Sequence, residues 1–392
     1  MKFVTDGKTL VSAIKDAKDV CLKNSPQESF NHILFEHDGA EHIFVTSCSG
    51  VAQAELYVKA EVDKAGSFCV RGEDLASIAK WWKDDEIEVS ADPKRGVATF
   101  SNVTSSWSLP ALPGDAFLKL RKSDVLPGEF WGVPGQWLVA ALEAAKRVLK
   151  DGSERAAVAQ IGLIGQQVVV GAASAVRSAY YKTGEPDESE PFWFGIPGAD
   201  VVDQMIAFIG NWQGDVEIYQ DAKAVYLAKD EANSIFSCLP LQSESGGVRR
   251  AMTLVPKEKP TLNLRADNKE LIDAIKKATA VHGEATGCKL WSGADSGVLF
   301  TENGKASSKA LFSPLEVKTK GTAEVNFDFL KQGLESMELD DTQIVLSGTL
   351  LYLISGESRA IIATIEPIKK EPDVDKPGKL REDSKQVEEA PF

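Results

Sequence analysis

The sequence predicts an α+β fold made of three tandem copies of one domain. Two landmarks that recur at the same period support this. An amphipathic helical pattern marked by Leu10 returns after 128 and then 133 residues. A strand–helix–turn–strand segment marked by Phe68 returns after 126 and then 131 residues. Because these intervals are far longer than the 20–50 residues of solenoid repeats, they indicate complete domains.

Within the first copy, the order of elements follows from the hydrophobic period. Apolar residues from Leu10 to Val20 recur at three- and four-residue steps, which predicts a helix. Segments 33–35, 42–46 and 54–58 alternate with turn residues and predict strands, and segment 75–82 predicts a second helix. Each copy therefore reads as helix, three or four strands, helix and further strands. Two helices per copy can cover only one face of the strands.

Changes in composition mark the boundaries between the copies. Turn-forming pairs occur at Pro127-Gly128 and Gly246-Gly247, and the chain after Pro367 is rich in Lys, Glu, Asp and Pro. The predicted organisation is one domain at 1–122, a second at 129–245, a third at 254–368, and a disordered tail of mixed charge at 369–392 that ends in Pro-Phe.

Composition limits the classes of function. The chain has 392 residues with 44 Lys+Arg and 58 Asp+Glu, a net charge of −14. This excludes a generally basic nucleic-acid coat, but it allows a basic face on an acidic molecule. No apolar run approaches the ~20 residues of a membrane span, and no signal peptide is apparent. Five scattered cysteines without a CxxC pair suit a reducing compartment, so we expect a cytoplasmic protein with no membrane partner.

No enzyme signature stands out, so the sequence predicts no catalytic residue, no cofactor and no metal. The histidines at 32, 37 and 42 step by five, which would not bring them together on a helix or a strand. Paired aspartates at 84–85 and 340–341 leave a metal-dependent nuclease open as an alternative. Both pairs fall in the same helix-to-strand turn of their repeat, where short acidic residues are common for structural reasons.

The segment 107–120, which reads W-S-L-P-A-L-P-G-D-A-F-L-K-L, resembles the F-S-L-x-x-L-P-x-x-D-F-P-x-L segment of the bacterial DNA polymerase III β sliding clamps. In that family the segment closes the first of three α+β domains. Segment 325–330 also resembles the entry to the last helix of the third domain. The chain is therefore similar to a divergent member of this family over residues 1–368.

This resemblance implies an assembly and a function. Two chains would close head to tail into a ring-shaped homodimer, with helices lining an inner face and antiparallel sheets outside. The ring would encircle duplex DNA without sequence preference and tether a DNA polymerase, after opening by a separate clamp loader. A clamp-fold adaptor or inhibitor that does not encircle DNA is the alternative.

Charge on the first helix of each copy agrees with a DNA-facing role. These segments carry eleven basic and seven acidic side chains, which is an excess of basic residues within a chain whose net charge is negative. A basic surface of this kind is what contact with phosphates requires. An ordinary set of solvated helix faces is the competing explanation. The predicted DNA-contacting residues are Lys8, Lys15, Lys18, Lys23, Lys146, Arg147, Lys150, Arg155, Lys269, Lys276 and Lys277.

The resemblance also assigns partner surfaces. The dimer interface would hold Trp107, Leu109 and Val281, with packing inside the domain as an equally good explanation for Trp107. A groove for partner peptides, in a segment where the match to the family weakens, would be lined by Arg177, Leu239, Pro240, Leu241, Ile362, Ala363, Thr364 and Ile365. The end of the tail resembles the acidic tip of bacterial single-stranded DNA-binding proteins, which predicts docking of Glu388, Glu389, Pro391 and Phe392 on a partner.

Overall fold

The computed structural model describes most of the chain. The residues that it leaves undescribed are 38, 40, 83–84, 121–125, 150–156, 175, 186–190, 222, 230–233, 242–246, 281–286, 304–305 and 365–392. Contacts divide the chain into two compact units. Unit 1 comprises residues 1–139 and 196–242, and unit 2 comprises residues 140–195 and 243–392.

Three stretches of the chain repeat one order of elements. The first holds β1 (Lys2–Asp6), α1 (Gly7–Val20), β2 (His32–His37), β3 (His42–Cys48), β4 (Ala52–Lys59), β5 (Glu61–Lys64), β6 (Ser67–Arg71), α2 (Gly72–Ala79), β7 (Glu86–Asp92), β8 (Val97–Ser101) and β9 (Ser106–Pro113). The second holds β10 (Phe130–Pro134), α3 (Gly135–Leu149), β11 (Val158–Ile164), β12 (Gln167–Ala173), β13 (Arg177–Thr183), β14 (Phe192–Ile196), α4 (Ala199–Ile209), β15 (Asp215–Gln220), β16 (Val225–Lys229) and β17 (Ser234–Cys238).

After the helix α5 (Gly247–Met252), the third stretch follows the same order. It holds β18 (Leu262–Asp267), α6 (Asn268–Thr279), β19 (Gly287–Ser292), β20 (Gly297–Asn303), β21 (Ala306–Phe312), β22 (Glu316–Thr319), β23 (Gly321–Glu324), α7 (Phe327–Glu335), β24 (Asp341–Ser347), β25 (Leu350–Ser355) and β26 (Ser358–Ala363).

Equivalent backbone hydrogen bonds fix the correspondence between the three stretches. In each, the first residue of the first helix donates its N–H to a carbonyl in the turn that follows the second helix. These bonds join Gly7 to Asp85 at 2.9 Å, Gly135 to Gly214 at 3.0 Å and Asn268 to Asp340 at 2.8 Å. The three donors are separated by 128 and 133 residues, the intervals of the helical pattern in the sequence.

The sheets run across the repeats in one consistent way. In unit 1, a 13-stranded sheet has the order β10-β15-β16-β17-β4-β3-β2-β6-β9-β8-β7-β1-β5. In unit 2, a nine-stranded sheet has the order β14-β11-β12-β13-β26-β25-β24-β18-β22, and a four-stranded sheet has the order β21-β20-β19-β23. The fourth strand of one repeat therefore pairs with the last strand of the next, as β4 does with β17 and β13 with β26.

Local chemistry explains why the first helices form where they do. The Asp6 carboxylate accepts the N–H of Thr9 at 2.8 Å, and the Asp267 carboxylate accepts the N–H of Glu270 at 2.7 Å. Such N-caps satisfy backbone donors that have no partner inside the helix. Leu10 and Ile14 are buried on one face of α1, and burial of each such side chain contributes about 1.5–3 kcal/mol.

The structure corrects three points of the sequence reading. Strands β1, β10 and β18 precede the first helices, although the pattern did not indicate them. The predicted boundary near Gly246 contains helix α5, whose Val248 is fully buried. The third copy of the strand marked by Phe68, which the sequence predicts at 324–327, ends at Glu324, because the Asn326 side chain accepts backbone N–H groups and begins α7.

The cysteines pack as small apolar groups. Four are buried and Cys21 is half-buried. Burial raises the pKa of the Cys21 and Cys69 thiols to about 12, so both stay protonated and unreactive near neutral pH.

Candidate nucleic-acid interface and partner surfaces

Exposed lysines follow one stripe on the first helices of the first and third repeats. On α1, Lys8 and Lys15 are seven residues apart and lie opposite the buried face. On α6, Lys269 and Lys276 occupy the same positions relative to the start of the helix. All four side chains are exposed, so the first and third repeats present positive charge at the same place on the helix.

Few internal contacts hold these lysines. Within the described part of the chain, Lys8, Lys15 and Lys269 have no carboxylate within 4.0 Å. Lys276 lies 3.3 Å from Asp273, but their side chains are 58% and 51% exposed. An exposed pair of this kind contributes only about 0–1 kcal/mol, so Lys276 remains available to a phosphate. Lys277, beside it, is also exposed.

The second repeat lacks this stripe. Helix α3 carries Gln136 and Glu143 at the two equivalent positions. Lys146 lies 3.8 Å from Glu143 with its side chain 18% exposed, and Arg147 is half-buried. Two further predicted contacts, Lys150 and Arg155, lie outside the described residues. The described basic surface is therefore concentrated in repeats one and three.

Two predicted DNA contacts at the end of α1 are shared with an acidic neighbour. The Nζ atoms of Lys18 and Lys23 lie 3.6 and 3.9 Å from one carboxylate oxygen of Glu73, at the start of α2. Lys23 keeps 74% of its side chain exposed, whereas Lys18 keeps 29%. Of the two, Lys23 is the better placed to meet solvent or a phosphate.

One acid on α1 is neutralised inside unit 1. Lys229 Nζ donates to the Asp16 carboxylate at 3.1 Å and also to the carbonyl oxygen of Phe208, over whose ring it lies 4.5 Å from the centroid. Both charged side chains are largely buried, at 17% and 12% exposure. Burial raises the pKa of the Asp16 carboxyl, and the Lys229 ammonium opposes that rise. No local pattern could indicate this contact, since its partners lie 213 residues apart.

The second helix of each repeat has the opposite charge balance. Helices α2 and α4 carry two acidic residues each and no lysine or arginine, and α7 carries Asp328 and Glu335 against Lys331. Lys331 lies 3.9 Å from Glu335. Each first helix, by contrast, carries more basic than acidic side chains.

The last strand of the first repeat has an open edge. Among the described strands, residues 106–110 of β9 pair only with β8, and β6 joins β9 further along, at 111–113. Trp107 and Leu109 lie on this segment and are half-buried. The ring of Trp107 is 6.0 Å from that of the buried Trp82 at 56°, so it packs inside its repeat while part of it stays accessible.

A second open edge lies in unit 2. Among the described strands, β21 pairs only with β20 and ends the four-stranded sheet. Leu311 on this strand and Leu315 just after it are each 54% exposed. Val281, the predicted interface residue of the third domain, lies outside the described residues.

Arg177 is held inside unit 2. Its guanidinium donates to the carbonyl oxygens of Arg147 and Val148, both at 3.3 Å, and to the side chain of Gln332. It also lies 4.3 Å from the ring centroid of Phe329, and the residue is 5% exposed. Arg177 therefore satisfies carbonyls at the end of α3 and ties α7 to the sheet. The side chain is not presented to a peptide.

The other predicted groove residues fall at two separate places. Ile362 is opposite Arg177 on β26 and is buried, and Ala363 and Thr364 follow it half-buried. The sequence Leu239-Pro240-Leu241 lies in unit 1, where the N–H of Leu239 donates to the carbonyl of Val51 at 2.9 Å. Ile365 lies outside the described residues.

The two places are equivalent positions of the repeat. The N–H of Ala363 donates to the carbonyl of Val176 at 2.8 Å, just as Leu239 donates to Val51. Val51 and Val176 are 41% and 39% exposed. The structure therefore leaves a small apolar surface at the end of each inter-repeat strand pair, and the sequence reading had merged the two.

The tail residues predicted to dock on a partner, Glu388, Glu389, Pro391 and Phe392, lie outside the described residues. Within the described ranges, no three His, Cys, Asp or Glu side chains converge as a metal site would require. Asp85 accepts a hydrogen bond from the Asn102 side chain at 2.6 Å, and Asp341 pairs with Arg265 at 3.7 Å. No helix in the described part of the chain has the length and apolar character to cross a membrane.

The chain is similar in structure to solved sliding clamps. The DNA polymerase III subunit beta of Pseudomonas aeruginosa matches with a TM-score of 0.80 at 12% identity, covering 93% of this chain and 100% of that one. The sliding clamp of Bacillus subtilis matches with a TM-score of 0.80 at 13% identity, covering 93% and 99%. The β clamp of Helicobacter pylori, solved with a DNA ligase peptide, matches with a TM-score of 0.75 at 15% identity, covering 93% and 100%.

No protein-family model and no curated protein sequence matches the chain. The chain therefore has the sliding-clamp fold, with helices and antiparallel sheets, at the low identity of a divergent member. The resemblance inferred from segment 107–120 is confirmed at this level.

Proposed function

We propose that this protein is a non-enzymatic sliding clamp. Two copies close head to tail around duplex DNA and tether a DNA polymerase, after loading by a separate clamp loader. The clamp fold supports this, and so does the repeated lysine stripe of α1 and α6. Exposed lysines that reach phosphates give sequence-independent, salt-sensitive contact, which suits a ring that must slide.

The observation that carries the proposal is the pairing of strands between repeats. Each fourth strand meets the last strand of the following repeat, as β4 does with β17 and β13 with β26. This rule leaves one fourth strand, β21, and one last strand, β9, each with an open edge among the described strands. Pairing of β9 with β21 of a second copy completes the rule, and doing so twice closes a dimer. It also covers two edges that would otherwise invite aggregation.

The existing junctions fix the register of the new one. Cys238 lies opposite Ala52 and Ile362 lies opposite Arg177, and Leu109 holds the equivalent place in the last strand of the first repeat, so the same rule puts Leu109 opposite Ala306 of a second copy. Counting back along both strands puts Ser108 opposite Ser307 of the partner subunit and Trp107 opposite the partner's Ser308. The exposed ring edge of Trp107 would then be covered on assembly.

A clamp that tethers a polymerase must also bind it. A polymerase held on the ring stays near the primer end because linkage raises its local concentration. The small apolar surface at Val176 and Ala363 adjoins the predicted groove residues Ile362 and Thr364. With Arg177 directed inward, a peptide here would rely on apolar contacts and backbone hydrogen bonds.

A pair of engineered cysteines tests the closed dimer. The double variant S108C/S307C places thiols on directly opposed residues, whose Cβ atoms in an antiparallel pair are about 4.5–5.5 Å apart. Mild oxidation should give a single species of about twice 42.4 kDa in denaturing gels, because two equal disulfides close the ring. The matched control S106C/S307C, displaced by two residues, should cross-link far less.

Two results would exclude the proposal in favour of a clamp-fold adaptor. One is a monomer at micromolar concentration in sedimentation velocity. The other is a ladder of higher oligomers on oxidation, since open chains joined end to end do not stop at two copies.

A further inference from the structure

An open groove lies between the two helices of the third repeat. Its volume is about 670 Å³, and it runs along α6 beside the end of α7 and the turn that follows, all within unit 2. Four apolar residues line it: Ile272, Leu334, Met337 and Leu339. Leu339 is 51% exposed. Covering an accessible apolar surface of this kind removes it from water, which favours binding.

The charges that line the groove are mostly negative. Five residues are acidic and two are basic: Asp267, Asp273, Glu335, Glu338 and Asp340, with Lys269 and Lys276. Asp273 and Lys276 lie 3.3 Å apart and offset each other, which leaves the negative excess at the other positions. A segment with an apolar side chain between two basic ones therefore suits both the apolar lining and the charge of the groove.

One wall of the groove holds a polar atom that has no partner. Asn268, the first residue of α6, is 8% exposed, and its Nδ2 donates to the carbonyl oxygen of Leu339 at 2.8 Å. Within the described residues, its Oδ1 accepts no hydrogen bond. A buried acceptor without a donor is unfavourable, so this atom points to a ligand that brings an N–H group.

Two lining residues distinguish the third repeat from the others. Asn268 and Met337 hold the places of a glycine and a tryptophan, which equivalent backbone hydrogen bonds identify as Gly7 and Trp82 in the first repeat. The same residue types occur in the second repeat, at 135 and 212. Trp82 is fully buried, whereas the smaller Met337 is half-buried. The groove thus includes both positions at which the third repeat departs from the pattern.

We propose that this groove holds the tail segment Lys379-Leu380-Arg381 of the same chain. The tail 369–392 lies outside the described residues and has four large apolar residues. Leu380 is the one with a basic residue on each side, because the others adjoin acidic, amide or proline residues. The segment therefore carries the charge that complements the groove. The inference does not depend on DNA binding or on ring closure.

The tail leaves the described structure close to the groove. The N–H of Glu338 in the groove donates to the hydroxyl of Ser358, at the start of β26, at 2.9 Å. The described chain ends at Thr364, six residues further on, or about 20 Å at the rise of a strand. The segment 365–378 can span about 50 Å when extended. The tail is therefore long enough to return to the groove, and attachment raises its local concentration there.

An extended chain fits the groove because its side chains alternate. Leu380 points to the apolar lining, while Lys379 and Arg381 point outward, where their long side chains reach the acidic residues of the rim. A backbone N–H of the segment supplies the donor that Asn268 Oδ1 lacks. Docking brings the charges at the groove to five acidic and four basic, beside the lysine stripe of α6.

Trypsin tests the docking on the unmodified tail. It cleaves after Lys379 and Arg381, and docking slows both cleavages because the segment must first leave the groove. The variant E335K/E338K reverses two charges of the rim, so both cleavages should become faster by about fivefold or more. Cleavage after Lys385, which lies outside the segment, should keep its rate.

A matched variant controls for the change in charge. E302K/E316K reverses two exposed acids of unit 2 that do not line the groove, and it should leave all three cleavage rates as in the wild type. Thermal unfolding of both variants checks that each is folded.

A photo-cross-link identifies the site independently of these substitutions. The amino acid p-benzoylphenylalanine in place of Leu380 should cross-link on illumination to residues 334–340, as mapped by mass spectrometry, and the product should migrate as a monomer. In place of Val387, which adjoins an amide and an acid, it should give less than about a tenth of that yield.

Unchanged cleavage in folded E335K/E338K, or equal cross-linking from positions 380 and 387, would overturn the proposal. So would cross-links that map mainly outside the groove or that join two copies, because the groove would then not hold this segment of its own chain.

Discussion

The first and second helices of each repeat differ in charge. Helices α1 and α6 present lysines at identical positions on their exposed faces, while α2 and α4 carry only acidic charged residues. Because the whole chain has a net charge of −14, an even distribution would make both sets acidic. The difference indicates that the charge of the first helices serves a function of their own, which the net charge of the whole chain does not reveal.

One acid on the first helices sharpens this contrast. Asp16 lies in a largely buried pair with Lys229, so its carboxylate adds little negative field near the lysine stripe. Exposed lysines with a paired acid on the same helix form the more basic surface that phosphates require.

Reversal of the lysine stripe should have the largest effect. The quadruple variant K8E/K15E/K269E/K276E should bind a 40-base-pair duplex at least roughly 10³-fold more weakly at low salt, since a dimer loses eight positive charges and gains eight negative ones. The slope of log affinity against log salt should fall by about 0.9 for each lost phosphate contact. Titration by fluorescence anisotropy at several salt concentrations measures both.

The matched control reverses acids on the second helices. D200K/D328K changes exposed residues in the opposite sense and should raise affinity or leave it unchanged. Thermal unfolding should be nearly the same for all three proteins, because exposed substitutions usually change stability by no more than about 0.5 kcal/mol. If the quadruple variant binds like the wild type, the first helices are not the DNA surface.

Breaking the buried pair should have a smaller effect, on stability rather than on binding. K229M leaves the Asp16 carboxylate buried without its partner, which should lower the free energy of unfolding by about 3 kcal/mol. The double variant D16N/K229M should recover much of this loss, because it removes the unpaired charge. Denaturant unfolding at pH 7 measures all three free energies.

The sign of the pH dependence adds a separate check. Burial already raises the pKa of Asp16, and K229M removes the ammonium that opposes the rise. A carboxyl whose folded pKa exceeds its unfolded value binds protons more tightly when folded, so stability increases as pH falls through the folded pKa. K229M should therefore regain stability relative to D16N/K229M between pH 7 and about 4. A constant difference across this range would contradict the assignment.

The sequence predicted the parts of the fold that depend on local periodicity. The repeat interval and the amphipathic helices at Leu10, Leu138 and Leu271 were readable because a helix buries every third or fourth residue. Strands β1, β10 and β18 were missed, since five or six residues next to a helix give too few alternations to detect. The pairing of β4 with β17 and of β13 with β26 joins residues more than a hundred positions apart, and no local pattern encodes it.

The candidate surfaces were predicted less well for the same reason. Lysines on the outer stripe of a helix follow from spacing alone, and Lys8 and Lys15 are exposed as that spacing requires. Arg177 was assigned to a groove because it matched a motif, but its direction depends on α3 and α7, which are distant in sequence. Leu239 was grouped with residues of the other junction because the family resemblance implied a single groove.

Topological linkage to DNA tests the central claim most directly. Reduced S108C/S307C protein is dissociated into monomers by dilution and then concentrated with a nicked circular plasmid, so that rings can form around the DNA without a loader. It is then oxidised and separated in denaturing detergent and high salt. Protein locked into a ring around the duplex should stay with the circle under these conditions and be released when a single cut linearises it. Loss from the circle before the cut, with disulfide-closed dimer present in the free fraction, would contradict encirclement.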